Sequence, residues 1–561
     1  MTLARTVSDS LLAVLADAGV RRIFGVPGDA VNAVIDGIRR HPDLEFVGVR
    51  HEEAGAFAAS AQAKLTGEIA AVVGTAGPGA IHLLNGLYDA KLDHAPVIAI
   101  TGQTATGRLG LHSHQEIDQH RLFADVAEFS ATVVDPAQLP TIAVMACQAA
   151  LAGPGVAHLA LTANVASAKA AGGAAAVVVR RPSSTAPSPD DVEAALEVLR
   201  ASKRPLLLAG IGARAAVPEL LELADRIGAP IVKTLRGKDL LPDDHPDTLG
   251  GLGLLGTRAA VDAVADCDAL VMVGTDFPYA DFYPEGVPVI QIDIERARIG
   301  LRTAVTVPLV GHAHLALSAL NAGLERRADR SWSERTRKEM AHWRKRMQAL
   351  ENDDSTPIKP QRLAAAVGRL LDPDAIVIAD TGTVTAWTAR HLSIRGAQRF
   401  TLSGNLASMG YGIPAAIGAQ LAFPGRQVVA LVGDGSFTML PTDLLTAVDQ
   451  QLPITIVVFN NGKLGLITLE EEAEGLPDQA TEIPAHDLFR IAEALGAEGF
   501  QVRDPGELDG ALTTALASPR PSVVEVLVDP DELIIPPRIE IAQALGFAEA
   551  KLKEFFGHVR S

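Results

Sequence analysis

The sequence predicts an α/β protein of three domains, each built on a central, mostly parallel sheet flanked by helices. The first observation behind this prediction is length, since 561 residues are nearly four times the roughly 150 residues of a typical domain. The second is pattern, because short runs rich in β-branched residues alternate with stretches of helical period. Such runs at 69–77, 204–213 and 426–437 are typical of buried strands in a parallel sheet with crossover helices.

Composition excludes several functional classes. The formal charge is −18, from 49 Lys and Arg against 67 Asp and Glu, which argues against a nucleic-acid partner. Cys147 and Cys267 are far apart, so neither a disulfide framework nor a zinc site is expected. The longest small apolar stretch, 170–179, is too short for the roughly 20 residues of a membrane-spanning helix. Because Asp9 and Asp17 interrupt the N-terminal helix as no signal peptide does, we expect a cytoplasmic protein.

Changes in composition along the chain predict the domain boundaries. The segment 167–191 is rich in small residues, Pro and Ser, which is typical of a linker, and Asp190 or Asp191 would cap the helix that follows. The segment 325–361 is dense in charge and poor in β-formers, which predicts a solvated helix and a connection. The predicted ranges are 1–168 for the first domain, 190–325 for the second, 358–530 for the third and 531–561 for a C-terminal tail.

The most informative segment runs from Gly433 to Asn461. It reads as a strand end, a Gly-Asp-Gly turn, a helix of about a dozen residues and a second strand that ends in Asn-Asn. Because the carboxyl ends of parallel strands lie at one edge, Asp434 and Asn461 are expected to converge as oxygen ligands for Mg²⁺. Gly433 and Gly435 would let a phosphate approach the backbone. The three-residue turn alone would read as an ordinary connection, but the whole unit predicts a diphosphate and Mg²⁺ site.

In this unit, and over essentially its whole length, the chain resembles the thiamine diphosphate enzyme superfamily. The resemblance implies that the first domain binds the thiamine pyrimidine and that the third binds the diphosphate and Mg²⁺. It places the metal ligands at Asp434, Asn461 and the carbonyl of Lys463, with Gly435 and Ser436 near the diphosphate. Two further cofactor contacts follow from residues 403–416: Met409 matches the bulky residue that holds thiamine in its bent shape, and Ala407 would offer its carbonyl to the aminopyrimidine. The ordinary alternative for Met409 is a place in the core.

The second half of the site is expected in residues 49–67, where an RHEE sequence precedes a helix of small residues. An isolated Glu there would read as a helix cap, but the resemblance places Glu52 against the pyrimidine nitrogen, where a carboxylate generates the base that activates the cofactor. The glycine-rich loop in 74–90 would lie beside the pyrimidine, with His82 as a polar contact. In this superfamily the two halves come from different subunits, which implies a homodimer or homotetramer with active sites at subunit interfaces.

The middle domain decides the reaction class. Its segments 233–239, 273–284 and 291–300 resemble the FAD-binding domain of pyruvate oxidases and quinone-dependent pyruvate dehydrogenases. The FAD contacts that this resemblance implies are Gly210, Arg236, Gly253, Thr275, Asp276, Phe277, Asp293 and Ile294. Asp293, at a predicted strand end, is a better candidate for a polar contact than any of the isolated glycines.

Two other regions resemble the oxidase branch. Residues 112–130 resemble a loop that contains Gln115, and residues 460–478 resemble an active-site helix with Glu470 near the reacting centre. Both Gln115 and Glu470 are therefore expected to be catalytic, together with Glu52 and His82. The chain departs from the oxidase pattern at two positions, where His114 and Leu466 replace Phe. These losses of aromatic surface leave the substrate preference open.

The resemblance implies oxidative decarboxylation of a small 2-oxo acid, above all pyruvate, through a thiamine enamine that passes two electrons to FAD. The products would be CO₂ with acetate or acetyl phosphate, and the electron acceptor a quinone or O₂. A carboligase of the acetolactate synthase kind, with FAD in no redox role, is the alternative. A catalytically idle assembly protein is disfavoured because Glu52, Asp434 and Asn461 are all present.

The tail carries an apolar stripe at helical spacing in 546–561. Its residues are Ala548, Leu552, Phe555, Phe556 and Val559. We expect this stripe to pack on the protein's own body. It also leaves open a weak peripheral contact with the inner face of the membrane.

Overall fold

A computed structural model describes residues 5–171, 183–534 and 536–537. Within these ranges the chain forms three six-stranded sheets in which every pair of neighbouring strands is parallel, and helices cover their faces. This architecture confirms the predicted α/β class. Residues 172–182 of the predicted linker and the apolar stripe of the tail lie outside the described residues. Among the described helices, none combines the length and apolar character needed to cross a bilayer.

The first sheet is buried on both faces, as the near-continuous apolar runs of its central strands require. Its strands are β1 (Arg22–Gly25), β2 (Glu45–Gly48), β3 (Ala70–Gly74), β4 (Val97–Gln103), β5 (Phe129–Val133) and β6 (Val156–Thr162), in the order β2-β1-β3-β4-β6-β5. The helices are α1 (Val7–Ala18), α2 (Asn32–Arg40), α3 (Glu52–Thr66), α4 (Pro78–His82), α5 (Leu84–Leu92), α6 (Gln119–Leu122), α7 (Leu139–Ala152) and α8 (Ala163–Ala166). All residues of β3, β4 and β6 are buried between these helices.

The middle sheet has the strand order of a dinucleotide-binding domain. Its strands are β7 (Pro205–Ala209), β8 (Ile231–Lys233), β9 (Thr248–Gly251), β10 (Ala269–Val273), β11 (Val289–Asp293) and β12 (Val307–Val310), in the order β12-β11-β10-β7-β8-β9. The helices are α9 (Pro189–Ala201), α10 (Val217–Ile227), α11 (Arg258–Asp266) and α12 (Ala313–Ala322). The strand order reverses between β7 and β10. In sheets of this kind, ligands bind at the carboxyl ends of the two strands that flank the reversal.

The third sheet repeats the topology of the first. Its strands are β13 (Ile376–Ala379), β14 (Arg399–Leu402), β15 (Val428–Gly433), β16 (Ile454–Asn460), β17 (Glu498–Val502) and β18 (Ser522–Leu527), in the order β14-β13-β15-β16-β18-β17. The helices, with α13 preceding the domain, are α13 (Ser331–Glu351), α14 (Pro360–Leu370), α15 (Thr383–His391), α16 (Gly412–Ala422), α17 (Asp434–Met439), α18 (Leu444–Asp449), α19 (Gly465–Ala473), α20 (Leu488–Ala494) and α21 (Leu508–Leu516). In both sheets the strands follow the order second, first, third, fourth, sixth, fifth.

Three local details differ from the sequence-based expectations. The helix α9 is capped by Ser188, whose hydroxyl accepts the N–H of Asp191 at 3.1 Å, so the two aspartates lie in the first turn instead. The helix expected after the Gly-Asp-Gly turn is broken into α17 and α18 at Pro441, because proline has no N–H to continue the ladder. The helix α13 is not wholly solvated, since Trp332 is buried and its Nε1 donates to the carbonyl of Pro205 at 2.9 Å.

The first and third domains pack through α3 and α16. Both helices consist largely of small residues, and nearly every residue of each is buried. Gly418 in α16 lies directly against the backbone of Ala58 in α3, an approach that any side chain at position 418 would block. The Ala-rich face of α3 thus brings the helix that begins with Glu52 into contact with the third domain.

A buried histidine in the first domain makes the stability of the protein depend on pH. His158 lies in β6, where Nε2 is 2.8 Å from the Thr101 hydroxyl, Nδ1 is 2.9 Å from the Ser130 hydroxyl and the ring stacks on Phe123 at 3.7 Å. Burial lowers the pKa of His158 to about 3, with a smaller contribution from His120. The unfolded chain therefore binds this proton first as the pH falls, and the stabilisation present above about pH 6.5 is lost toward pH 3.

We expect His158→Gln to flatten the acid dependence of stability. In the wild type this one group should remove up to about 1.4 kcal/mol of unfolding free energy per pH unit below pH 6. Urea unfolding at several values between pH 7 and 4 would measure this slope in both proteins. The exposed His342, replaced by Gln, is the matched control and should leave the slope unchanged. Parallel pH profiles for wild type and His158→Gln would contradict this assignment.

Candidate active site

Asp434 and Asn461 converge at the carboxyl edge of the third sheet. They follow directly after β15 and β16, which are neighbours in the sheet with Gly433 opposite Phe459. The Asp434 Oδ2 atom accepts the N–H of Gly462, the residue after Asn461, at 2.9 Å. The two predicted ligand side chains therefore lie on adjacent strand ends, as the parallel geometry requires.

The two asparagines of the Asn-Asn pair have different roles. Asn460 faces into the protein, where Nδ2 donates to the fully buried Glu525 at 2.7 Å. Among the hydrogen bonds of the described residues, the Asn461 side chain accepts the N–H of Lys463 at 3.3 Å, and both residues line a cavity of about 350 Å³. Of the two asparagines, Asn461 is thus the one that borders an open space.

The electrostatics of Asp434 suit a cation. Burial raises the pKa of Asp434 to about 6, although the backbone N–H groups of Gly435 and Gly462 act in the opposite direction. A carboxylate, an amide oxygen and a backbone carbonyl form a donor set typical of a hard divalent ion such as Mg²⁺. The chemistry of Asp434, Asn461 and the carbonyl of Lys463 therefore fits the predicted metal.

The two glycines of the Gly-Asp-Gly turn differ in their surroundings: Gly435 is closely packed and Gly433 is open. A Cβ atom at position 435 would lie 2.9 Å from Leu464 and 3.2 Å from the terminal methyl of Met409, whereas position 433 has no neighbouring atom within 4 Å. Met409 thus touches the turn, as expected of a side chain beside the cofactor. The Ser436 hydroxyl donates to the carbonyl of Thr381 at 3.3 Å.

The backbone around Ala407 has an unusual conformation. Ala407 has φ 54°, in the left-handed region that disfavours residues with a side chain. The Ser403 hydroxyl holds this tight segment by accepting the N–H of Ser408 at 3.0 Å. Strained backbone of this kind occurs preferentially at ligand sites, where the surrounding structure maintains it.

Glu52 begins α3 and is 7% exposed. His51, and not Glu52, caps the helix, since its Nδ1 accepts the N–H of Glu53 at 3.2 Å. The Oε2 atom of Glu52 lies 3.0 Å from Nδ1 of His82, whose ring stacks on that of His51 at 4.4 Å. The ligand atoms of these three side chains lie within 4.8 Å of one another, so the group has the composition of a metal site as well as of a proton-handling cluster.

The glycine-rich loop after β3 brings Gln115 into this group. Gly77 has φ +66°, and a Cβ atom there would lie 3.0 Å from both Cβ and the carbonyl oxygen of Gln115. Two residues further on, a Cβ atom at Gly79 would lie 3.2 Å from Oε1 of Glu52. Glu52, His82 and Gln115 are therefore gathered around one loop, from three segments that are distant in the sequence.

The residue next to Glu52 is linked to the third domain through the side chain of Asn85. Asn85 donates both to Oε1 of Glu53 at 2.6 Å and to the hydroxyl of Ser408 at 3.0 Å. Among the hydrogen bonds of the described residues, none joins Glu52 or His82 to Asp434 or Asn461. Within one chain, Glu52 and His82 are thus not joined by a described hydrogen bond to the predicted metal ligands Asp434 and Asn461.

Glu470 lies on α19, which begins against the predicted metal ligand Asn461. A Cβ atom at Gly465, the first residue of α19, would lie 2.8 Å from Nδ2 of Asn461. Glu470 itself is exposed on this helix, as is the neighbouring Ile467. The helix of Glu470 is therefore adjacent to the predicted diphosphate half-site, and the Glu470 side chain is exposed on its surface.

The eight predicted flavin contacts lie at the carboxyl edge of the middle sheet. Gly210 follows β7, Arg236 follows β8, Gly253 follows β9, Thr275, Asp276 and Phe277 follow β10, and Asp293 and Ile294 lie at the end of β11. The loops after β7 and β10 meet at the reversal point, since a Cβ atom on Gly210 would lie 2.5 Å from that of Thr275. Residues from five different strands are thus brought to one edge.

The predicted flavin residues differ in their surroundings. Asp276 is ion-paired with Arg298 at 2.9 Å. Asp293 accepts the N–H of Glu295 at 2.8 Å, and burial raises the pKa of its carboxyl group. Phe277 is 5% exposed and belongs to the core of the domain. Of the two predicted acidic contacts, Asp293 is therefore the one without a cationic partner among the described salt bridges.

A cavity of about 590 Å³ lies between this edge and the other two domains. Its walls include Lys64 and Asp93 from the first domain, Arg236 and Ile294 from the middle domain, and Thr401 and Leu402 from the third. This volume lies within the range of roughly 300–1,000 Å³ found for cofactor and ligand sites. Two of the predicted flavin contacts, Arg236 and Ile294, thus line the cavity, and the cationic side chain of Arg236 fits a dinucleotide.

Family models match all three domains. The N-terminal domain of thiamine pyrophosphate enzymes, which binds thiamine pyrophosphate (another name for thiamine diphosphate), matches residues 5–122. The central domain of these enzymes matches residues 192–320, and their C-terminal thiamine pyrophosphate-binding domain matches residues 380–526. The chain belongs to the thiamine pyrophosphate enzyme family. The predicted resemblance to this superfamily is thereby confirmed.

Relatives of this thiamine diphosphate enzyme match it over nearly its whole length. A putative thiamine pyrophosphate-containing protein, YdaP, from Bacillus subtilis is 40% identical, with 98% of this chain and 96% of the relative covered. A pyruvate oxidase from Lactiplantibacillus plantarum is 32% identical over 96% of this chain and 91% of its own. A probable acetolactate synthase large subunit from Methanocaldococcus jannaschii is also 32% identical, over 94% and 93% respectively.

Several residues around the cofactor sites of this thiamine diphosphate enzyme carried no sequence signal. Lys64, Asp89 and Asp93 form a buried charge cluster with Arg236 where the three domains meet. Burial opposes the charge of Lys64, but Asp89 and Asp93 more than compensate and raise its pKa above the usual range. Charged residues four apart on a helix normally indicate a solvated face, so only the tertiary structure identifies this cluster.

Proposed function

We propose that this enzyme catalyses flavin-dependent oxidative decarboxylation of a small 2-oxo acid, with pyruvate as the expected substrate. The observation that carries the proposal is the cavity of about 590 Å³ at the carboxyl edge of the middle sheet, which residues of both thiamine domains also line. A flavin held there would lie beside the third-domain segment that leads to Ala407 and Met409. Its two-electron reduction would accompany conversion of pyruvate and water to acetate and CO₂, or of pyruvate and phosphate to acetyl phosphate and CO₂, before a quinone or O₂ reoxidises it.

Each half-site would contribute its own residues. Asp434, Asn461 and the carbonyl of Lys463 would hold Mg²⁺ against the diphosphate, while Met409 and Ala407 would contact the thiamine rings. When bound, thiamine diphosphate supplies a nucleophilic carbon that attacks the keto group of the 2-oxo acid and takes up the electrons released with CO₂.

Glu52 would hold a proton at the pyrimidine nitrogen. Its Oε2 is fixed by Nδ1 of His82 at 3.0 Å, which leaves Oε1, on the side of the Gly79 loop, for the cofactor. The low exposure of Glu52 keeps water from competing for this hydrogen bond. Gln115, on the other side of the loop, and Glu470 would orient the substrate carboxylate and the reacting groups.

A complete site would form between two copies of the chain. The two half-sites of one chain have no direct contact among the described hydrogen bonds, and the first and third sheets share one topology, so two chains related by a twofold axis can present a first domain to a third domain twice. We therefore propose a homodimer or a homotetramer of two such dimers. We place it in the cytoplasm, with a weak peripheral contact at the membrane as a further part of the proposal for the tail.

Mixing two inactive variants tests this assembly. A hybrid dimer of Glu52→Gln and Asp434→Ala chains would combine both defects in one site and leave the other site intact. Random reassociation of equal amounts should therefore restore about 25% of the wild-type activity. Each variant mixed with itself through the same procedure is the control. A mixture that stays inactive although hybrid dimers form would contradict a site shared between chains.

A carboligase of the acetolactate synthase kind is the second candidate. The 32% identity to a probable acetolactate synthase large subunit favours it as much as the same identity to a pyruvate oxidase favours the oxidase. In a carboligase, a second 2-oxo acid would capture the decarboxylated substrate and the flavin would undergo no net reduction. The oxidase is our first choice because of the matches around Gln115 and Glu470.

Product analysis separates the two reactions. We would incubate the loaded enzyme with ¹³C-labelled pyruvate and a soluble quinone, with and without phosphate, and identify the products by NMR. Labelled acetate or acetyl phosphate that requires the quinone supports the oxidase. Acetolactate formed without the quinone would instead establish the carboligase. Repeating the assay with 2-oxobutyrate tests whether His114 and Leu466, which stand where the oxidases have Phe, shift the preference to a larger substrate.

A further inference from the structure

Four charged side chains form a closed cluster at the junction of the three domains. The Nζ atom of Lys64 lies 2.7 Å from a carboxylate oxygen of Asp89 and 2.7 Å from one of Asp93. The Nε atom of Arg236, from the middle domain, lies 3.3 Å from the other oxygen of Asp93. The carboxylates of Asp89 and Asp93 have no exposure to solvent. Two positive and two negative charges thus balance inside the protein.

Asp93 also binds the backbone of the third domain. Its two carboxylate oxygens accept the N–H groups of Gly404 at 2.9 Å and Asn405 at 3.0 Å. The side chain of Asn405 donates back to the carbonyl of Leu92 at 2.8 Å. These bonds fix the start of the segment 403–409, which continues into the left-handed Ala407 and into Met409.

Arg236 is held by the same two residues. Its guanidinium donates to the main-chain carbonyl of Asp93 as well as approaching the carboxylate. Its aliphatic stem lies against Gly404, where a Cβ atom would come within 2.5 Å of the Arg236 Cδ. The direction in which this cation enters the 590 Å³ cavity is therefore set by Asp93 and by the absence of a side chain at position 404.

We propose that Asp93 is a positioning residue for both cofactors. Through Arg236 it aims a cation at the diphosphate of a dinucleotide in the cavity, and through the N–H groups of Gly404 and Asn405 it sets the segment that meets the thiamine pyrimidine. One carboxylate of the first domain thus determines the affinity of sites on the middle and third domains. The inference rests on the flavin and thiamine assignments of the proposed function.

Affinity measurements on the full-length, cofactor-free protein test this proposal. Asp93→Asn keeps the size of the side chain and one acceptor oxygen but removes the charge. Because a hydrogen-bonded charge pair is lost, we expect the Kd for FAD to rise about tenfold, and the Kd for thiamine diphosphate with Mg²⁺ to rise several-fold. Equilibrium dialysis would measure FAD binding, and titration calorimetry would measure thiamine diphosphate binding.

Asp268 provides a matched control. Like that of Asp93, its carboxylate accepts two backbone N–H groups, those of Lys203 at 2.9 Å and Arg204 at 2.7 Å. Asp268 lies outside both proposed cofactor sites. Asp268→Asn should leave both Kd values unchanged. Equal losses of affinity in Asp268→Asn and Asp93→Asn would show a general effect of destabilisation and overturn the proposal.

A double-mutant cycle distinguishes positioning from a purely structural role. Arg236→Gln alone should weaken FAD and leave thiamine diphosphate unaffected. If Asp93 acts on FAD through Arg236, adding Asp93→Asn to Arg236→Gln causes no further loss of FAD affinity, whereas the loss of thiamine diphosphate affinity persists. Additive losses of FAD affinity would overturn the proposed route.

Gly404→Ala is the second variant and changes no charge. The added methyl group should displace the aliphatic stem of Arg236 and raise the Kd for FAD severalfold, although position 404 belongs to the third domain. This result would support the proposal even if Asp93→Asn does not fold. Unchanged FAD binding in folded Gly404→Ala would overturn it. A wild-type protein that binds thiamine diphosphate but no FAD would instead overturn the flavin part of the proposed function, and this inference with it.

Discussion

Replacing Glu52 with Gln is expected to abolish most turnover while the protein keeps its fold and its cofactors. Gln preserves the size of the side chain and can still hydrogen-bond to His82, which lies 3.0 Å from Oε2 in the wild type. It cannot hold the proton at the pyrimidine nitrogen, and loss of such acid–base participation typically lowers kcat by about 100- to 10,000-fold. Release of CO₂ from pyruvate, measured at saturating cofactor, is the direct assay.

Glu68→Gln is the control for this substitution. Glu68 is exposed just beyond the other end of α3, so its replacement should leave kcat unchanged. Thiamine diphosphate content after gel filtration should be the same in both variants and the wild type. Near-normal kcat in Glu52→Gln would refute the role of Glu52, and loss of bound cofactor would show that it acts mainly in binding.

Replacing Asp434 with Ala is expected to remove the metal and, with it, thiamine diphosphate. Asp434 is the charged member of the proposed ligand pair, and it lies at the carboxyl edge of the third sheet, on the strand end adjacent to that of Asn461. Loss of residues that merely support metal ligands costs about 10- to 100-fold in affinity, so loss of the charged ligand should cost more than about 100-fold. The amount of thiamine diphosphate that stays bound after gel filtration in a buffer with Mg²⁺ would measure this effect.

The same substitution has a smaller structural cost. The Asp434 carboxylate accepts the N–H of Gly462 at 2.9 Å, so its removal should lower the stability by about 1 kcal/mol even without cofactor. Asp449→Ala, at the exposed end of α18, is the control and should retain wild-type cofactor content. Undiminished cofactor retention in folded Asp434→Ala would remove Asp434 from the metal site.

The sequence predicts most directly the positions of residues at the carboxyl ends of buried strands. Asp434 and Asn461 follow buried β-branched runs, and the parallel pairing of β15 and β16 brings them to one edge without further information. The predicted flavin residues lie at the carboxyl edge of the middle sheet for the same reason. Their roles came from the family resemblance, and neither composition nor periodicity distinguished Asp434 from the aspartate of an ordinary turn.

Contacts between distant segments could not be predicted from the sequence. Gln115 and Gly77 are in contact because two loops fold over one another, and no periodic pattern records this proximity. Asp93 directly follows the last residue of α5, with Lys91 two positions before it, and nothing in this local sequence indicates that its carboxylate is buried between domains. Local sequence specifies elements and their edges, whereas this burial depends on how the three domains pack.

The most direct test of the proposed chemistry is the absorbance of the bound flavin under anaerobic conditions. Pyruvate would be added to the wild-type protein loaded with thiamine diphosphate, Mg²⁺ and FAD, and the oxidised flavin band and CO₂ release would be followed together, with Glu52→Gln as the control. We predict that the band bleaches as CO₂ is released, one per flavin, and that neither change occurs in Glu52→Gln. Release of CO₂ with formation of acetolactate while the flavin stays oxidised would contradict oxidative decarboxylation.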